Sequence, residues 1–192
     1  GVFVCGILSK LYYYIWNYLQ VNLMSTVLII DGIFMHKALY QAESLYKEIY
    51  PDKEFKRVNL SNIINHIISY SQNWSKTIST SFLVTNSDYD GNDSIHFDCE
   101  EVVANRKFVP VHLIKTDNLI WYKTEQLINE YNDKDIILCA DDRAYYPTLN
   151  ELNSEILLIR YHSSQTTMPG HLKWFDVNYI MGLCLGLELE EL

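Results

Sequence analysis

Three aspartates stand where this chain could do chemistry. Asp31 follows Ser25-Thr26-Val27-Leu28-Ile29-Ile30, and the pair Asp141-Asp142 follows Asp135-Ile136-Ile137-Leu138-Cys139-Ala140. Both runs are rich in β-branched residues and lack alternation, the pattern of strands buried on both faces of a parallel sheet. Carboxylates leaving two such strands at one sheet edge are what a Mg²⁺ or Mn²⁺ site for phosphodiester hydrolysis needs. Hard cations take oxygen ligands, and a bound cation can generate hydroxide and stabilise phosphate charge. Aspartate also ends strands because it caps the next helix or turn, so position alone leaves both roles open for Asp31.

Other chemistry-bearing residues are less organised. His36, His66, His96, His112, His162 and His171 show no metal-ligand spacing, and no GxxxxGK[ST] phosphate loop occurs. Cys5, Cys99, Cys139 and Cys184 form no CxxC pair and read as reduced thiols of an intracellular, most simply cytoplasmic, chain. Tyr145-Tyr146 could stack on an exposed base or pack the helix above the strand. A formal charge of −9 argues against a broad nucleic-acid footprint, since Lys53, Lys56, Arg57 and Arg106-Lys107 offer only local basic patches.

The elements that must position these acids follow from periodicity and length. At 192 residues the chain suits one well-buried domain, placed at residues 24–192. Helical periods appear at 34–50, ended by Pro51, in a second helix capped by Asn59 or Ser61 with Ile63, Ile64, Ile67 and Ile68 inward, and at 98–106, 119–131 and 146–152. Strands are expected at 25–30, 78–85, 108–114, 135–140 and 155–161, with Pro110 favouring an edge position for the third. A final amphipathic stretch covers 171–189. Strands alternating with helices mean an α/β fold with a parallel, doubly wound sheet and helices on both faces.

Residues 1–23 differ from the rest. Lys10 is their single charge, and Tyr12, Tyr13, Tyr14, Trp16 and Tyr18 crowd together. Asn17, Gln20 and Asn22 interrupt the apolar run, so a membrane span is not expected. Two readings stand: a docking helix for this domain or a protein partner, or non-native sequence upstream of a start at Met24.

The order of elements, with Ile30-Asp31-Gly32-Ile33-Phe34 and Ala140-Asp141-Asp142-Arg143-Ala144-Tyr145-Tyr146-Pro147, resembles the NYN branch of the PIN-like nucleases, including LabA-like proteins. That family opens with a strand followed by Asp-Gly-x-Asn and later has a strand followed by Ser-Gly-Asp-x-Asp-Phe-x-Pro-Leu. The segment Leu172-Lys173-Trp174-Phe175-Asp176 is similar to its closing motif. The resemblance spans residues 24–189. It implies a three-layer domain with a five-stranded parallel sheet in the order 3-2-1-4-5, and Mg²⁺- or Mn²⁺-dependent RNA cleavage. It also implies a cation held by Asp31, Asp142 and Asp176, with Asp141 assisting and Arg143 against the phosphate.

Two departures stand out. Phe34 fills the place of the family's Asn, and Ala144 that of its second Asp. Losing a carboxylate from a divalent site removes both affinity and the orientation of the attacking water. The expected function is therefore a degenerate PIN/NYN-like domain acting as a binding or structural subunit, docked through residues 1–23. The alternative is an active endoribonuclease using Asp31 and Asp142.

Overall fold

The structure, a computed structural model, describes residues 25–71, 77–88, 95, 97, 100–104, 107–141, 145–161 and 172–192. The segment 1–23, together with Asp142, Arg143 and Ala144, lies outside them. At the centre is β1 (Ser25–Asp31), buried at every position except the partly exposed Asp31. It pairs in parallel with β2 (Thr77–Asn86) on one side and β5 (Asp135–Cys139) on the other. Beyond β2 come β4 (Lys107–Thr116) and the antiparallel β3 (Glu101–Ala104). Beyond β5 come β6 (Ile156–Arg160) and β7 (Lys173–Asp176). The sheet reads β3-β4-β2-β1-β5-β6-β7.

Alternation along the strands divides the core. Leu28, Ile30, Ile137 and Cys139 face α1 (Gly32–Ile49), α2 (Leu60–Ser71) and α5 (Val177–Leu185). Val27, Ile29, Ile136 and Leu138 face α3 (Ile120–Glu130) and α4 (Tyr146–Glu151). Each central strand is thereby covered twice, which is why its sequence shows no polar alternation. The inward residues of α2 are Ile63, Ile64, Ile67 and Ile68, and Asn59 Oδ1 accepts the Asn62 backbone N–H at 2.9 Å at its start. No helix among the described residues is long and apolar enough to cross a membrane.

Three sequence expectations fail. The sheet has seven strands, not five, because residues 101–104 form β3 where a helix was expected, and 173–176 form β7 inside the last amphipathic stretch. Both are four-residue edge strands, too short for periodicity to distinguish from a helical turn. Nor is β4 an edge strand. Pro110 sits opposite Glu101 of β3, whereas the ladder with β2 begins at Val111, so the missing proline N–H falls where β4 has a neighbour on one side only.

Candidate functional site

Strand order reverses across β1: the chain runs from β1 to β2 and β4 on one side, then crosses to β5 and β6 on the other. The carboxyl ends of β1 and β5 therefore flank the switch-point crevice, the preferred ligand position in open α/β sheets. Register places Ile30 beside Cys139, Cys139 beside Ile159, and Arg160 beside Asp176. Asp31, Ala140, Arg160 and Asp176 thus form one row across the sheet edge.

Asp31 is the N-cap of α1. Its backbone is extended (φ −75°, ψ 111°), and Oδ1 accepts the Phe34 N–H at 3.0 Å. Oδ2 accepts the Tyr145 hydroxyl at 3.2 Å. Gly32 follows because the chain here presses on β2: a Cβ at this position would stand 2.8 Å from the Val84 carbonyl oxygen and 3.3 Å from Thr85 Cβ. The Asp-Gly step is thus a cap followed by a close backbone approach.

Burial raises the Asp31 carboxyl above its ordinary range, outweighing the Phe34 N–H, the Tyr145 hydroxyl, the Ile33 N–H and the Lys37 charge, which all pull it down. The sign for stability follows. A carboxyl raised on folding favours the native state at acid pH, and that advantage is lost as pH rises from the ordinary aspartate range, near 4, through the raised value. Asparagine keeps the capping oxygen without the charge. Asp31→Asn is therefore expected to gain thermal stability relative to the parent as pH increases from 4 to 8. A melting-temperature difference that is constant, or that moves the other way, would refute the assignment.

Tyr145, from the turn between β5 and α4, is only 1% exposed and spans the crevice. Its phenol is raised by burial first and then by the Asp31 charge; Thr124 of α3 also faces it and pulls it down. Its neighbour Tyr146 reaches the other way, its hydroxyl accepting from Arg160 Nη1 at 3.0 Å. Arg160 is 3% exposed, a buried arginine at the sheet edge. The sequence signal for it was slight, a single cation ending an apolar strand.

Phe34, one turn into α1, is 4% exposed and packs edge-to-face on Tyr161 with ring centroids 5.2 Å apart. The Tyr161 phenol is pushed up to about 12, by burial first and then by the charge of Asp141. Asp141 itself is exposed, at the tip of β5, and its charge also reaches Tyr145. The Tyr161 hydroxyl is buried and has no hydrogen-bond partner among the described residues.

The structure thus brings Asp31 and Asp141 to one crevice and leaves Asp176 elsewhere. Asp176 caps α5, accepting the Asn178 N–H at 3.0 Å, and its charge acts on Tyr46 of α1. Three interstrand spacings, about 14 Å, separate its backbone from that of Asp31. Asp142 and Arg143 lie outside the described residues. Among the described residues, no group of three His, Cys, Asp or Glu side chains is placed to hold a metal. Among the described residues, each Asp31 oxygen accepts an internal hydrogen bond and the neighbouring row position is Ala140, so that position adds no oxygen ligand for Mg²⁺ or Mn²⁺.

Fold and site together define a mainly parallel α/β domain whose switch-point acid is a helix cap bonded to a buried tyrosine. No protein-family model, curated protein or solved structure matches the chain.

Proposed function

We propose that this chain is a PIN/NYN-like domain that no longer hydrolyses phosphodiesters and acts as a binding or structural subunit of a larger assembly. The observation that carries this reading is Phe34. The position where the nuclease family has a polar Asn holds a ring buried against Tyr161, which can neither ligate a cation nor orient water. Setting aside the two short edge strands, the remaining β4-β2-β1-β5-β6 follow the order 3-2-1-4-5 that the resemblance implies, which supports the family reading. Leu119, Trp121 and Tyr122 at the start of α3 are 65%, 42% and 47% exposed, apolar surface of the kind a protein partner covers.

A second reading has its own support. Asp141 stands at the tip of β5, beside β1, and its charge acts on both Tyr145 and Tyr161, polar surroundings of the kind an RNA phosphate and a cation would require. In that reading Asp31 and Asp142 hold Mg²⁺ or Mn²⁺, Asp141 assists and Arg143 meets the phosphate. An RNA-cleavage assay in Mn²⁺ separates the two. The parent, Asp31→Asn and Asp142→Asn proteins are expected to be equally inert, and cleavage by the parent that both variants lose would replace the first reading with the second. For the assembly half, the full chain is expected to elute in a larger species than a chain lacking residues 1–23. Identical monomers would count against that partner site.

A further inference from the structure

We infer that the flank of the sheet formed by β3 and β4, on the side of α3, is the surface that takes residues 1–23 of a second copy of this chain. Resting on the reading of residues 1–23 as a partner site, this assignment names that partner. Alternation puts Phe108, Pro110, His112 and Ile114 of β4 on this side, and antiparallel pairing sets Val103 opposite Phe108 and Glu101 opposite Pro110. The other face of the same strands, with Val102, Val109 and Val111, is buried in the core that α2 shares. On the flank side, among the described residues, α3 packs chiefly on β1 and β2, and Phe108 and Val103 are left 67% and 59% exposed. His112 is exposed as well, its ring stacked on Phe82 where the flank meets the covered part of the sheet. Mainly parallel sheets are ordinarily covered on both faces, so this flank is where a further element belongs.

Chemistry, length and position select the occupant. Residues 1–23 carry Lys10 as their single charge and the crowded aromatics Tyr12, Tyr13, Tyr14, Trp16 and Tyr18, a match for an apolar flank with the acidic Glu101 at its rim. A helix of 20 residues spans about 30 Å, and the ten residues of β4 about 33 Å. The strands β1, β2 and β4 start level at the amino edge, with Ser25 beside Thr77 and Ser81 beside Val111. The chain therefore enters β1 two interstrand spacings, about 10 Å, from the start of the flank. To lie on its own flank the segment would have to reverse and step sideways over β2 at Met24, the one residue between it and β1. So short a hinge favours exchange between copies. The same contact made twice closes a two-fold dimer, and residues 1–23 of each copy supply most of the roughly 20–30 residues a side that a stable interface uses.

The test uses full-length proteins, with mass read by light scattering during size exclusion. The parent is expected at twice the 22.5 kDa of one chain. Phe108→Glu and Val103→Glu put a charge on the flank, and the double change Tyr13→Glu with Trp16→Glu puts charges on the segment; each protein is expected at the mass of one chain. An equal mixture of Phe108→Glu and the segment variant is expected to regain a two-chain species holding one of each, because the first keeps its segment and the second its flank. That recovery also shows that both variants are folded, and Val103→Glu repeats the flank test from the neighbouring strand. If the dimer survives the flank changes but not the segment change, another surface takes the segment: the inference falls and the partner reading stands. A mixture that regains nothing likewise overturns the inference. A dimer that survives the segment change, or a parent of one chain, removes both.

Discussion

Tyr145→Ala is expected to lose about 3–5 kcal/mol of folding stability, the range for truncating a fully buried large aromatic side chain. Tyr145 is 1% exposed, and its ring fills the layer between the β1–β5 edge and helices α3 and α4. Its removal would leave a cavity there and strip Asp31 Oδ2 of its partner in a partly buried setting. Tyr145→Phe separates the two contributions, because it keeps the packing and removes only the hydrogen bond. It should cost about 1 kcal/mol, within the usual net value of such a bond. Urea denaturation of the three proteins, compared at constant m, measures both steps. Equal losses for the two variants would mean that the hydroxyl, and not the ring, dominates, against the packing described here.

Gly32→Ala is the second large effect, expected to cost about 1–3 kcal/mol through overpacking. The new methyl would lie 2.8 Å from the Val84 carbonyl oxygen, a backbone atom held in the β1–β2 ladder, so the strand or the first turn of α1 must move to admit it. On an exposed helix Gly→Ala would instead stabilise, so the sign itself is diagnostic. Ser44→Ala, on the exposed middle of α1, serves as the reference and should fall within about 0.5 kcal/mol of the parent. A neutral or stabilised Gly32→Ala protein would show that the helix start stands further from β2 than this structure places it.

These two positions also mark where sequence reading worked and where it stopped. The run from Ser25 to Asp31 announced a strand covered on both faces because burial on two sides suppresses polar alternation, and β1 is such a strand. The long helices were legible for the matching reason: α1, α2 and α3 carry enough turns for a 3.6-residue period to emerge. The edge strands β3 and β7 were not, since four residues hold two alternations and barely one helical turn. Pairing energy from a neighbouring strand, a non-local term, decided them.

The acids divide in the same way. Their positions at strand ends were plain in the sequence, and with them the two possible roles, cap or ligand. Asp31 and Asp176 both turn out to cap helices, through the Phe34 and Asn178 N–H groups. Their separation, with β5 and β6 between them, is a property of sheet order, to which chain position is blind. The Tyr145 bond to Asp31 joins residues 114 apart along the chain, and Arg160 to Tyr146 brings a second strand tip into the same turn.

What the sequence by itself determined is therefore the set of buried strands and helices and the acids at their ends, because burial and local capping act over a few residues. What only the tertiary structure decided is which of those acids meet, and what lies between them. At the crevice between β1 and β5 the outcome is a tyrosine hydroxyl on Asp31 and a phenylalanine ring beside it, both held there by packing that the whole sheet assembles.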